Sequence, residues 1–419
     1  MDVLKEIPDN SMDSVVTDPP YEYGFMNRGW DKTGIAYNVD MWREVLRVLK
    51  PGGYLLSFGG TRTYHRMACA IEDAGFTIHP LIGWIFGSGF TKAVNLSKQF
   101  DKQAGAERKI VGKKERNTGS SRFNLFRHGK YKYEYMDDAY ITEPATPEAK
   151  QWDGWYYGLQ SLKPAIEPVC MAQKPISEKR MTENVMKWGT GGLNIDGCRI
   201  EHNEKIKTTQ RRGRQNAIVM TDSSCGFDNT KNNIASANPE GRFPANVILD
   251  EEAGRMLDEQ SGISQSKRAI RKGTSPNPMS WGKQRMGADA EFGFNDTGGA
   301  SRFFYCAKAS KAERNMGLDG YEAEAVDDGR NKPIDNPFLR GKTSRKNTHP
   351  TVKPLSLMKY LVRLVTPPGG VVLDPFAGSG STLLAAEMEG FDSIGIELNP
   401  EYCEIARARL SAPMQMAMF

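Results

Sequence analysis

Two hydrophobic periods alternate along the first hundred residues or so of this chain. Short apolar runs predict buried strands at Ser14 to Thr17, Tyr54 to Phe58 and Leu81 to Phe86. Between them, runs of helical period predict two amphipathic helices. The first spans Asp40 to Leu49, places Met41, Trp42, Val45, Leu46 and Leu49 on one face, and is expected to stop at Lys50-Pro51-Gly52-Gly53. The second carries Tyr64, Met67, Ala68 and Ile71 and ends at Gly75. This is the alternation of an α/β wind.

From about residue 100 the periodicity fades into Gly, Ser, Asn and charged positions, which points to binding loops or disorder. Apolar fragments interrupt it, among them Glu167-Pro168-Val169-Cys170-Met171-Ala172, Asn246-Val247-Ile248-Leu249 and Arg302-Phe303-Phe304-Tyr305. Regular patterning returns with a helix from Leu355 to Val365, showing Leu357, Leu361 and Leu364 on one face. A strand Val371 to Leu373, a glycine-rich turn, a helix to Glu389, a strand Ser393 to Ile396 and a last helix from Asn399-Pro400 follow. An α/β core in two sequence halves, split by an insertion, is the expected organisation, and no internal repeat is evident.

Composition agrees with this picture. The 419 residues are 39% hydrophobic and include 42 Gly and 23 Pro, enough for a core with much polar loop. Mean hydropathy is −0.56. No apolar run approaches the roughly 20 residues that span a bilayer, and the start Met1-Asp2-Val3-Leu4-Lys5-Glu6 does not read as a signal peptide, so the expected location is the cytoplasm. Six cysteines without a CxxC pair and five histidines without HxH or HExxH give a metal site or disulfide framework no support.

Two motifs carry chemistry. Asp374-Pro375-Phe376-Ala377-Gly378-Ser379-Gly380-Ser381-Thr382 joins a strand to a helix, a turn that lets backbone approach a nucleotide-like ligand, and Glu397 ends the next strand, where a carboxylate can accept ribose hydroxyls. Leu383 stands where GxGxxG has its third glycine, which weakens a dinucleotide reading, and GxxxxGK is absent. Asp18-Pro19-Pro20-Tyr21 follows a strand, and its prolines hold the Asp18 carboxylate, the Pro19 carbonyl and the Tyr21 ring in one rigid array. Two acceptors beside an aromatic face match an exocyclic amine on a planar base.

These motifs, in this order, resemble the DNA amino-methyltransferases of the β permutation, which use S-adenosylmethionine to methylate adenine N6 or cytosine N4. His349-Pro350-Thr351-Val352-Lys353-Pro354 and Arg47-Val48-Leu49-Lys50-Pro51-Gly52-Gly53 also match. The resemblance implies a Rossmann-like class I methyltransferase sheet of seven strands, circularly permuted, with the two motif strands side by side. Residues 1–100 and 345–412 would form the catalytic core, with extra core strands near 163–175 and 301–310. Residues 101–344 would be a loop-rich target-recognition insertion, and 413–419 a flexible tail. The family usually has a strand ending in Gly-Asp a few residues before the position of Met1, and its Asp meets the cofactor adenine.

By the same resemblance, Asp374, Ala377, Ser379 and Thr382 belong to the cofactor turn, with Gly378 and Gly380 beneath the cofactor. Phe376 would lie against its adenine or methionine portion, Glu397 on the ribose, and His349, Thr351 and Lys353 at the methionine end. Asp18 and the Pro19 carbonyl would accept the N–H bonds of the target amine, Pro20 would stiffen the turn and Tyr21 would stack on the flipped base; Trp30 could assist. Adenine N6 in DNA is the expected target and cytosine N4 the alternative. RNA and protein-glutamine methyltransferases usually carry the two motifs in the opposite order. A non-catalytic DNA-binding subunit would be expected to have damaged motifs, and both are intact.

The net charge of +5 is unevenly spread. Clusters at Lys205 to Arg214, Lys267 to Arg285 and Arg340 to Lys346 suit a polyanion, and Arg211, Arg212, Arg214, Arg268 and Arg271 are the expected base-reading residues. Partners expected are double-stranded DNA and a second copy of the chain, with neither membrane nor metal. The tail Gln415-Met416-Ala417-Met418-Phe419 resembles the peptide that docks bacterial DNA-processing proteins on the sliding clamp, Gln415 at a groove rim with Met418 and Phe419 in apolar pockets.

Overall fold

The computed structural model describes residues 2–23, 31, 33–89, 91, 93–113, 140–201, 241–265, 269–271, 290–292, 296–308, 311–325 and 344–412. Arg211, Arg212, Arg214, Arg268, Trp30 and Gln415 to Phe419 lie outside them, and Arg271 is described only as the end of a short strand, Ala269–Arg271.

The central sheet is built from β1 (Met12–Thr17), β2 (Leu49–Phe58), β3 (Thr77–Ile78), β4 (Ile82–Ile85), β5 (Ile166–Gln173), β6 (Val247–Asp250), β7 (Tyr305–Ala307), β8 (Val371–Asp374) and β9 (Asp392–Gly395). Their order is β7-β6-β4-β5-β2-β1-β8-β9, with the two-residue β3 paired on β5. The sheet is parallel except for β5, which runs against β2, β3 and β4. The expected seven strands are nine among the described residues: the core strands expected near 163–175 and 301–310 are β5 and β7, and β6 and the two-residue β3 are added to them. Strands β6 and β7 are drawn from the range 101–344, as is β5, and helix α4 (Glu251–Ser261) follows β6.

Strand residues alternate between two cores. Val16, Leu56, Met171 and Val372 face one side, under helices α5 (Leu355–Val365) and α6 (Ser381–Met388). Val15, Leu55, Cys170 and Leu373 face the other, against α1 (Val39–Val48) and α2 (Tyr64–Asp73). The strand β1 is covered on both faces, so Met12–Thr17 is buried throughout, and its polar residues are paired: Val371 N–H donates to Asp13 Oδ2, the Ser14 hydroxyl pairs with that of Thr366, and Thr17 Oγ1 donates to Asp374 Oδ1. Helix α5 is more deeply embedded than its predicted stripe: Leu355, Met358, Tyr360 and Val362 are buried as well as Leu357, Leu361 and Leu364.

Helix α1 stops where expected, at Val48, but Lys50-Pro51-Gly52-Gly53 lies within a strand and not in a turn before it. The chain passes from α1 directly into β2, and the register against β1 jumps from Met12↔Leu49 to Ser14↔Tyr54. The extra residues form a bulge that the following elements satisfy. Gly52 N–H donates to Lys174 O at 2.9 Å, and Gln173 Nε2 donates to Gly52 O at 2.9 Å. Pro51 O accepts from Asn184 Nδ2 at 2.8 Å and from Thr190 Oγ1 at 2.7 Å. Asn184 sits on α3 (Met181–Trp188), is fully buried, and also accepts Ser177 N–H at 3.1 Å.

Removing that amide strands buried polar groups, each costing about 1–3 kcal/mol. Asn184→Ala is therefore expected to destabilise the protein by about 2–3 kcal/mol, read as a lower urea midpoint with an unchanged slope; a shift below about 0.5 kcal/mol would show the bulge to be self-supporting.

Candidate active site

Strands β1 and β8 lie side by side in parallel, with Ser14 opposite Val372 and Val15 opposite Leu373. Their carboxyl ends therefore emerge together, and with them the two motifs. Thr17 Oγ1 donates to Asp374 Oδ1 at 2.6 Å across the junction.

Asp374 is 2% exposed and works inside its own turn, where Oδ1 also accepts Phe376 N–H at 3.0 Å. The turn then follows β9: Ile396 N–H donates to Asp374 O and Ala377 N–H to Ile396 O, both at 2.9 Å. Gly378 has φ +52°, and a Cβ there would lie 2.8 Å from His349 Nε2. Its N–H donates to Glu397 Oε2 at 2.8 Å, while Asn399 N–H donates to Oε1 at 2.8 Å, so Glu397 ties the turn to the start of α7 (Pro400–Ser411). Ala377, Ser379 and Thr382 are buried, Phe376 is half-buried, and Gly380 caps α6. Leu383, at the missing third glycine position, packs where a Cβ on Gly395 would meet its Cδ1 at 2.4 Å, so the strand supplies the close helix–strand approach.

Arg409 braces this turn from behind. It is 1% exposed, and its Nη1 donates to Ser379 O at 2.6 Å and to the hydroxyls of Ser379 and Ser381 at 3.2 Å. His349 is set by several neighbours: Arg314 Nη2 donates to its carbonyl at 2.7 Å, its N–H donates to Asn347 Oδ1 at 3.1 Å, and its ring meets Tyr402 edge-on at 4.6 Å. His349 Nδ1 is paired with Thr351 O at 3.0 Å. Burial, stronger than the opposing pull of Asp18, pushes the imidazole down to about 4, so it is neutral at pH 7.

The Asp18 segment is equally constrained. Pro19 is buried and Pro20 half-buried. Thr63 Oγ1 donates to Tyr21 O at 2.8 Å, and the chain turns away through Glu22 at φ 56°, whose N–H donates to the buried Asp31 at 2.8 Å. Lys353 reaches this segment: its Nζ donates to Asp18 Oδ2 at 2.7 Å and to Tyr21 Oη at 3.1 Å. Tyr21 Oη in turn donates to Glu167 Oε2 at 3.1 Å, and Lys353 Nζ lies 3.4 Å from the same oxygen. Burial, then Asp18 and Glu167, raise the Tyr21 phenol well above its ordinary value. Burial alone would lower Lys353, but the two carboxylates more than offset it and hold the ammonium charged.

The structure thus brings together Asp18, Pro19, Pro20, Tyr21, the glycine turn, Glu397, His349, Thr351 and Lys353. It adds Thr17, Glu167 and Arg409, which the sequence reading did not single out. Glu167 had one visible signal, a charged residue leading an apolar run. Its position follows from strand direction: β5 is antiparallel, so its first residues stand at the edge where the parallel strands end.

Asp374 makes stability pH-dependent. Burial, partly relieved by bonds from Thr17, Thr382 and Phe376 N–H, raises its carboxyl to about 6. The native state therefore binds the proton more tightly than the unfolded chain, and stability falls as pH rises from about 4 to about 6, then levels. Asp374→Asn keeps an acceptor for Thr17 and Phe376 and removes the titration. Its urea midpoint should pull ahead of the wild type across that interval and stay ahead, by about 2–3 kcal/mol; parallel pH profiles would contradict the assignment.

The N6/N4 DNA methylase family model matches residues 12–408. The chain is 42% identical over 76 residues to the DNA adenine methyltransferase YhdJ of Escherichia coli K12, covering 18% of this chain and 26% of that protein. It is 52% identical over 65 residues to the type II methyltransferase M.HindIII of Haemophilus influenzae, covering 16% and 21%. The chain spans only about a quarter of the length of these curated relatives. Among solved structures, the cytosine-N4-specific PvuII DNA methyltransferase aligns over 97% of this chain and 82% of that one, at 14% identity and TM-score 0.40. The M1.HpyAVI–SAM complex aligns over 98% and 95%, at 13% identity and TM-score 0.36. With the family model running from the first residue of β1 to within α7, and both motifs at one sheet edge, this chain belongs to the N6/N4 DNA methylase family.

Proposed function

We propose that this chain methylates the N6 amino group of an adenine extruded from duplex DNA. S-adenosylmethionine is the methyl donor of the family, and when bound it supplies an electrophilic methyl group on a sulfonium. The residues fit such a group. The backbone at Gly378 leaves no room for a side chain beside His349, and each Glu397 oxygen accepts one N–H, which leaves lone pairs for ribose hydroxyls.

One observation carries the reading. Among the described residues Asp18 Oδ1 is buried and has no hydrogen-bond partner, one strand away from the glycine turn. A buried orphan acceptor is costly and is retained where a ligand donor satisfies it. A purine amino group is a poor nucleophile because its lone pair is delocalised into the ring. By accepting an N–H at Oδ1, Asp18 favours the pyramidal nitrogen of the attacking state and draws off its developing positive charge, with the Pro19 carbonyl as second acceptor. The proton shed by the methylated nitrogen is held at Oδ1 and passes to water. Tyr21, its hydroxyl fixed by Glu167 and Lys353, offers a ring already oriented for the extruded base, which offsets part of the few kcal/mol of unstacking.

Cytosine N4 has the same exocyclic amine and is the second reading; the Asp form of the motif and the adenine-specific relative YhdJ favour adenine. The basic clusters around Arg211, Arg212 and Arg214, and around Arg268 and Arg271, would hold the DNA.

Incubating unmethylated DNA with labelled cofactor and separating the nucleosides is expected to place the label in N6-methyladenine; label in N4-methylcytosine alone would overturn the adenine assignment. Asp18→Ala should lower the rate at least about 1,000-fold and leave cofactor affinity within a few-fold. Replacing Arg211, Arg212 and Arg214 by Gln should weaken DNA binding and make its salt dependence shallower, by about 0.9 in slope for each lost phosphate contact; an unchanged slope would remove the cluster from the interface.

A further inference from the structure

The sequence motif places Lys353 with the cofactor, but its ammonium is already committed elsewhere. A lysine carries three N–H donors, and three oxygens surround this one: Asp18 Oδ2 at 2.7 Å, Tyr21 Oη at 3.1 Å and Glu167 Oε2 at 3.4 Å. The residue is 8% exposed, and its Nζ lies 4.7 Å from the Phe58 ring centroid and 5.3 Å from that of Tyr21. Aromatic walls around a buried ammonium held by two half-buried carboxylates make this a high-cost environment in which to break an ion pair. Reaching a cofactor carboxylate would require exactly that.

We infer that Lys353 and Glu167 are positioning residues for the transfer step: Lys353 holds Asp18 by Oδ2 so that Oδ1 alone meets the target amine, and Glu167 holds Lys353 and Tyr21 in place. The inference rests on the reading of Asp18 as the acceptor for that amine.

Charge explains why two residues are needed. Lys353 fixes the Asp18 carboxylate, yet a lone positive charge there would oppose the positive charge that builds on the attacking nitrogen. Glu167 cancels it. Asp18, Glu167 and Lys353 together carry one net negative charge, which faces the nitrogen while the N–C bond forms and the C–S bond electrons remain on sulfur. The relay also has a consistent donor order, with Lys353 donating to both Asp18 and Tyr21, and Tyr21 donating to Glu167. Its parts come from distant points of the chain: Asp18 follows β1, Phe58 ends β2, Glu167 opens the antiparallel β5, and Lys353 precedes α5. No single motif encodes it.

The test compares full-length wild type, Lys353→Met and Glu167→Gln. Two quantities are read: cofactor affinity by calorimetry with S-adenosylmethionine, and the single-turnover rate on unmethylated plasmid DNA at saturating cofactor. Glu167→Gln is close to isosteric, and its thermal midpoint checks that the fold is kept. The expected result is a rate lowered at least about 30-fold in Lys353→Met and at least about 10-fold in Glu167→Gln, with cofactor affinity within about 3-fold of wild type in both. A rate within about 3-fold of wild type in either folded variant overturns the inference. So does a loss of cofactor affinity in Lys353→Met with the saturated rate preserved, which would return Lys353 to the cofactor. A wild type that methylates no exocyclic amine under these conditions would instead overturn the reading of Asp18, and this inference with it.

Discussion

The site depends on one pairing, that of β1 with β8. These strands come from opposite ends of the chain, and Thr17 and Asp374, hydrogen-bonded at their tips, are 357 residues apart in sequence. Because the pair is parallel, both chains leave the sheet at the same edge, and whatever follows each strand must share that edge. The Asp18 segment and the glycine turn are those followers. Burial on both faces keeps the pair in place, since Val15 and Val16 enter opposite cores and a slip of one residue would exchange them.

Around that pair, the fold places charge by strand direction. Parallel strands deliver their last residues to the active edge, and the one long antiparallel strand, β5, delivers its first. Glu167 therefore arrives beside Asp18, where Lys353 bridges the two carboxylates. Without the lysine, two carboxylates in a buried site would compete for a proton; without Glu167, the lysine would stand as an uncompensated cation. The glycine turn has a separate support. Glu397 and Arg409 hold it from two sides, one through the Gly378 N–H and the other through the Ser379 carbonyl. The two halves of the site are thus braced independently and meet at Thr17 and Asp374.

The chain between the halves belongs to the sheet as much as to any insertion. Strands β5, β6 and β7 of the central sheet all fall within it. Among the described residues no helix is long and apolar enough to cross a membrane, and no cluster of His, Cys, Asp and Glu could hold a metal ion.

Local sequence alone determined the elements whose cause is local. Apolar period located α1, α2 and α5, the Asn399-Pro400 cap located α7, and the rigid Asp18-Pro19-Pro20-Tyr21 and Asp374-to-Thr382 segments announced the chemistry, because proline and glycine restrict or free the backbone regardless of context. What only the tertiary structure decided depends on contacts between distant segments. Lys50-Pro51-Gly52-Gly53 ends the helix as it reads, yet Lys174, Gln173 and Asn184 satisfy its backbone and make it a strand bulge where a turn was expected. The four-residue β6 carries too few residues for a period to show, and its place is set by pairing with β4 on one side and β7 on the other. Lys353 lies in a motif that points to the cofactor, but the antiparallel course of β5 sets Glu167 within its reach, so its ammonium lies between two half-buried carboxylates that no local sequence pattern brings together.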